Sequence, residues 1–253
     1  MKLKEYGIDH QDVIVLLHGG GLSWWNYREE AEKLHERYHV IIPILDGHSG
    51  SGTRFTSIEN NAEKIIRLID ERFGGRVLLM GGLSLGGQIL LEILVKRYDI
   101  CRYAVIESAG TIPSKLTHTL IRPLLESSYG LIKRRWFSKM QFNALHIMPS
   151  LFEDYYRDTR NIKKEDMIAF LRASTSYSLK ASIGKCSANV HIFIGEKEDK
   201  NIKQSALQIQ KMISSASVHI LPGLYHGEFS LNDADGYVKA VEAIINDSKS
   251  YFF

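Results

Sequence analysis

Cysteine is scarce in this chain. Only Cys101 and Cys186 occur in 253 residues, and they fit no ligand spacing such as C-x-x-C. A disulfide framework and a cysteine-built zinc site are therefore excluded as organising devices, and two idle thiols fit a reducing compartment. No stretch reaches the roughly 20 apolar residues of a membrane helix. Met1 to Gln11 is polar and of mixed charge, unlike a signal peptide. A cytoplasmic protein with no membrane partner is expected. An excess of one charge is also lacking: 32 Lys+Arg face 29 Asp+Glu, a net +3. That balance does not point to nucleic acid. His, Asp and Glu nowhere take a metal-binding spacing. His35 and His39 are four apart, but the second opens a strand. The glycines at 81–82 and 86–87 match neither G-x-G-x-x-G nor the phosphate loop with its G-K-[ST]. No metal and no organic cofactor is expected.

What is present is an ordinary globular composition, 44% hydrophobic and 24% charged, in a length that an α/β domain can span alone. Val13 to Leu17 is a short β-branched run that ends at His18-Gly19-Gly20-Gly21, a buried parallel strand and a glycine turn. Trp24 to Arg37 has helical spacing. Val40 to Ile42 is the next strand, closed by Pro43, and 46–52 is a loop by composition. Ser57 caps a helix ended by Gly74-Gly75. Val77 to Met80, Ala104 to Ile106, Val190 to Ile194 and Val218 to Leu221 read as further strands. Leu85 to Leu94, Ile202 to Ile213 and Tyr237 to Ile245 read as helices between and after them. The tail from Asn246 to Phe253 reads as frayed or docked back through Tyr251-Phe252-Phe253. The alternation predicts an α/β fold, a mostly parallel sheet of about six or more strands with helices on both faces.

Residues 111–185 break this alternation. They show no strand pattern and hold helical stretches at Arg134 to Leu145 and Lys164 to Leu179, interrupted by Pro123 and Pro149. An all-helical insertion, 111–185, is expected between strands of a core formed by 1–110 and 186–253. It carries 13 Lys+Arg against 6 Asp+Glu, an outward solvated face or an attraction for an anionic substrate. Trp136, Phe137, Phe142, Phe152, Tyr155, Tyr156 and Phe170 read chiefly as the insertion's own core.

The sharpest chemical signal is Gly82-Leu83-Ser84-Leu85-Gly86. A serine hydroxyl is a weak nucleophile at neutral pH and must be held exposed beside a base. A tight strand-to-helix turn does this, and small residues two before and two after relieve the crowding. Here the motif follows a strand and opens a helix. By its glycine turn at 18–21, this elbow and a late acid and histidine, the chain resembles the α/β-hydrolase superfamily in its small, cap-bearing form, over nearly its whole length.

The resemblance implies the order nucleophile, acid, histidine. It makes Ser84 the nucleophile and His226, just past the last strand, the general base. It places the acid after the fifth parallel strand, at Glu198, three residues past Gly195, with Asp199 as competitor and Glu107 as a distant third. It implies an oxyanion hole from the backbone of Gly20 and Leu85. His18 is expected to brace that turn, and His48 to be scaffolding near the site. It also implies a helical cap over the site and a small-molecule substrate, a carboxylic ester or thioester. Other readings of the same fold are a lyase or a C–C hydrolase acting on an anionic molecule, and a silent ligand-binding protein. Oligomeric state is not readable.

Overall fold

A computed structural model describes residues 1–246; the expectation for the tail falls on 247–253, outside the described residues. Three parallel strands alternate with helices along the first half. They are β2 (Val13–Leu17), β3 (His39–Pro43) and β4 (Val77–Leu83), with α1 (Arg28–Leu34), α2 (Ile58–Phe73) and α3 (Leu85–Lys96) between and after them. A short antiparallel strand precedes them, β1 (Leu3–Tyr6), which pairs with β3. The polar N-terminus had given no strand signal. Its residues are only half buried on an edge, so no apolar run marks them.

The remaining strands are β5 (Cys101–Glu107), β6 (Asn189–Gly195) and β7 (Ala216–Leu221). Between β5 and β6 stand α4 (Lys115–Ile132), α5 (Arg135–Ala144), α6 (Phe152–Thr159) and α7 (Lys164–Ser176). Helix α8 (Lys200–Met212) joins β6 to β7, and α9 (Glu228–Asn232) and α10 (Ala234–Ile245) follow. The seven strands run in the order β1-β3-β2-β4-β5-β6-β7, all parallel except β1.

The central strands are apolar on both faces because helices cover both. Every residue of β2 and β3 is buried. Alternate residues feed two cores: Val15, Leu17, Met80 and Ile106 against α2 and α3, and Ile14, Leu16, Leu79 and Val105 against α1 and α10. Each such aliphatic side chain contributes about 1.5–3 kcal/mol when fully buried. Local signals hold where expected. The Ser57 hydroxyl accepts the Asn60 N–H at the start of α2, and Gly74 ends it in the left-handed region at φ 63°.

Pro123 was expected to interrupt the helical insertion, yet it lies inside α4. Proline removes one N–H from the ladder. Pro123 and Thr119, whose carbonyl loses that partner, are both exposed, so water can serve it.

Candidate active site

Ser84 stands between the last residue of β4 and the first of α3, at φ 50° and ψ −109°. A non-glycine residue with positive φ is strained by about 1–3 kcal/mol and needs its surroundings to hold it. Its N–H donates to Glu107 O at 2.8 Å, and its carbonyl accepts Gln88 N–H at 2.9 Å. The flanking glycines are steric requirements. A Cβ on Gly86 would lie 2.0 Å from Leu17 O, and one on Gly82 2.6 Å from Gly86 C.

His226 follows β7 and its side chain is half exposed. Its Nδ1 lies 2.9 Å from Glu198 Oε2. The other oxygen of Glu198, Oε1, accepts the Ser108 hydroxyl at 2.6 Å and the Gly195 N–H at 2.9 Å. Burial pushes the Glu198 pKa up, but the bonds to His226, Ser108 and Gly195 outweigh it and hold the carboxyl below its ordinary range. Asp199 is exposed at the N-terminus of α8, with no side-chain bond there and none to His226 among the described residues. Glu107 is fully buried. Burial raises its pKa to about 7, although the Ser230 N–H donates to its Oε1 at 3.2 Å. It is thus only partly ionised near neutrality, and it makes no bond to His226 among the described residues.

The glycine turn after β2 is fixed by two polar side chains. The Gly19 N–H donates to Asn26 Oδ1 at 3.1 Å, and the Gly21 N–H donates to His48 Nε2 at 3.0 Å. Of the three amides, only that of Gly20 has no acceptor among the described residues. Gly20 also approaches the first turn of α3, since a Cβ on it would lie 3.6 Å from Leu85 Cβ. Leu85 is the first residue of α3, so its N–H lacks a carbonyl one turn back within the helix. Two N–H donors, at Gly20 and at Leu85 directly after Ser84, thus have no acceptor among the described residues.

His18 and His48 brace this turn and are both buried. His18 Nε2 accepts the Leu45 N–H at 3.1 Å, which puts the ring hydrogen on Nδ1, 3.0 Å from Gly19 O. His48 has the same tautomer by the same reasoning, with Nδ1 donating to Asp46 O at 3.0 Å. Burial lowers the His18 pKa to about 3 and that of His48 to about 4, so both rings stay neutral at neutral pH. His48 also stacks on Phe170, with ring centroids 4.5 Å apart.

Ser84, His226, Gly19 and Gly20 line one cavity of about 80 Å³, closed by Leu22, Leu83, Leu145, Ile147 and Leu231. Leu145 and Ile147 come from the segment after α5, so the helical insertion reaches the cavity. No hydrogen bond joins Ser84 Oγ to His226 among the described residues; catalytic bonds of this kind commonly tighten on substrate binding. None of the insertion's aromatic residues lines the cavity. Phe142, Phe152, Tyr155 and Phe170 are buried, whereas Trp136 is exposed and belongs to neither core nor pocket. Sequence reasoning did not find Ser108, Asn26 or the role of Ile147. Ser108 had one signal: it follows a parallel strand at its carboxyl end, where such sheets place ligands. Among the described residues no three His, Cys, Asp or Glu side chains form a metal-binding group.

Residues 14–240 match the family described as the Alpha/beta hydrolase family. Several solved structures are similar in fold. An esterase from Exiguobacterium antarcticum superposes with a TM-score of 0.81 at 17% identity, covering 96% of this chain and 94% of that one. A bromoperoxidase from Bacillus anthracis gives a TM-score of 0.83 at 14% identity, covering 97% and 95%. A thermophilic esterase from Thermogutta terrifontis gives 0.79 at 15% identity, covering 100% and 94%.

Proposed function

The chain belongs to the Alpha/beta hydrolase family, and from that premise we propose that it is a serine hydrolase cleaving small carboxylic esters or thioesters. One observation carries this reading: a strained Ser84 and a carboxylate-tethered His226 open on the same small apolar cavity.

In this reading Ser84 Oγ attacks the ester carbonyl carbon while His226 Nε2 takes its proton. Glu198 accepts the Nδ1–H of His226, fixes its tautomer and stabilises the imidazolium. The N–H groups of Gly20 and Leu85 hold the negative oxygen of the tetrahedral intermediate. As the intermediate collapses, His226 returns the proton to the departing alcohol or thiol, and the acyl group stays on Ser84. Water, deprotonated by His226, then attacks the acyl-enzyme, releasing the acid and restoring the serine. Helices α4 to α7 act as the cap that closes the acyl side through Leu145 and Ile147. The cavity is smaller than the roughly 150 Å³ void that accepts benzene in another protein. It therefore suits an acyl group of a few carbons.

The test pairs the protein with its Ser84→Ala variant. A fluorophosphonate probe should label the first and not the second. Hydrolysis of p-nitrophenyl esters should fall by about 10³-fold or more in the variant, with acetate and butyrate preferred over octanoate in the parent. Labelling without turnover of any ester would replace the hydrolase by a lyase of the same fold. No labelling would leave a ligand-binding protein.

A further inference from the structure

A helix on a protein surface normally turns its single apolar face inward. Helix α4 has two such faces. Its inner side carries Ile121 and Ile132, both buried, with Leu125 and Tyr129 packed against the core. Its outer side carries Leu116, Leu120, Leu124 and Leu131, which are 73%, 45%, 59% and 40% exposed. At about 100° per residue these four leucines fall within an arc of roughly 80°, so they form one stripe along the helix. One exposed leucine is ordinary, but a continuous stripe marks an interaction surface. In α5, Trp136 and Met140 stand one turn apart and are 65% and 55% exposed.

The charges around this apolar surface are mainly cationic. Lys115, Arg122, Lys133, Arg134, Arg135 and Lys139 lie between residues 112 and 148, against Glu126 alone. Arg122 pairs with Glu126 and Glu165, and Arg135 with Glu153. Lys115, Lys133, Arg134 and Lys139 make no ion pair among the described residues. A second copy of the chain meeting this face would set cations against cations. The complementary partner is anionic and presents an apolar layer beneath its charge.

We propose that α4 and the start of α5 dock flat on an anionic phospholipid bilayer. The leucine stripe and Trp136 enter the boundary between headgroups and acyl chains, and the surrounding cations meet the lipid phosphates. This differs from the sequence expectation of no membrane partner. No helix among the described residues is long and apolar enough to cross a membrane, but lying on its surface requires only a two-faced helix. The arrangement also brings the bilayer toward the site, because Leu145, directly after α5, is both exposed and part of the cavity wall.

The experiment is flotation of the full chain with vesicles of phosphatidylcholine alone or mixed with phosphatidylglycerol. The expected result is binding to the mixed vesicles only, weakened by added salt, with a blue shift of emission absent in Trp136→Phe. The double variant Leu120→Asp/Leu124→Asp should lose about tenfold or more in binding, while its circular dichroism and its hydrolysis of dissolved esters stay unchanged. Arg134→Glu should weaken binding a few-fold. The proposal is overturned if the mixed vesicles are not bound, or if the double variant binds them equally. It is also overturned if the parent forms a dimer that the double variant dissolves, which would assign the stripe to a second copy.

Discussion

The two sides of Ser84 treat histidine in opposite ways. On one side His18 and His48 are sealed, neutral and locked by backbone partners at both ring nitrogens. On the other, His226 is half exposed, tethered at one nitrogen to Glu198 and without a hydrogen bond at the other among the described residues. A group that positions must not change its charge, and burial without an ionic partner prevents that. The proton shuttle proposed for His226 must reach solvent and substrate. The residue type is shared, and surroundings alone divide the roles.

The comparison breaks first at Glu198. Replacing it by Gln should lower kcat on a preferred ester by about 10⁴-fold, as the tether no longer selects the tautomer. Asp199→Asn, at an exposed position with no contact to His226, should change kcat less than about twofold. Equal losses in steady-state assays would dissolve the assignment of the acid.

His48→Phe tests the sealed side. Phenylalanine keeps the stacking on Phe170 but leaves the Gly21 N–H without its acceptor, at about 1–3 kcal/mol. The turn then loosens around Gly20, and kcat should fall on the order of tenfold. KM and Ser84 labelling should change little. A silent variant would mean that the glycines alone set the turn.

Acid titration separates the two sides again. His18 and His48 titrate near 6.5 when unfolded but only near 3 and 4 when folded. Between those values the unfolded chain binds more protons, so stability is complete above about pH 6.5 and is lost as pH falls toward 4. For His48 this is roughly 3 kcal/mol. Glu107 acts in the opposite sense. Its folded pKa is raised from 4.5 to about 7, so its contribution is complete below 4.5 and is lost as pH rises through 7. Burial raises the Glu30 carboxyl in the same sense, so two histidines face two glutamates and the variants, not the parent alone, carry the test. Relative to the parent, the thermal midpoint between pH 6.5 and 4.5 should hold up better in His48→Phe and drop further in Glu107→Gln. Three superimposable profiles would contradict the sealed environment of these groups.

A modest loss is expected at Ser108, whose hydroxyl donates to Glu198 Oε1 and accepts the Gly227 N–H at 3.3 Å. In Ser108→Ala, Glu198 keeps its other two donors, so kcat should fall roughly fivefold. An unchanged rate would make this contact structural only.

Local chemistry was the legible part of the sequence. The elbow at Ser84 announces itself because its glycines answer clashes with atoms a few residues away or in the next strand. The parallel strands show as runs because both faces are covered. The choice between Glu198 and Asp199 stayed open, since adjacent residues differ only in where the following helix begins. Strand β1 escaped notice because an edge strand needs no apolar run. Trp136 misled because an aromatic residue in a helix normally marks a core, and here it faces water. The partners of Glu198 and His48 depend on contacts across 90 and 27 positions of chain, for which no local pattern exists.

Strands β5 and β6 pair in register although the chain between them leaves to build four helices. Closing so long a loop adds little to the equilibrium cost, about 0.6 kcal/mol per doubling of length. It weighs on kinetics instead, because distant strands must meet before their contacts repay the search. Ser84 is in place once β4 and α3 have formed, but Glu198 and His226 arrive only with the last two strands. On the proposed mechanism, a nascent chain carries its nucleophile, unarmed, through most of its synthesis, and recovery of ester hydrolysis after dilution from denaturant would time the final step of assembly.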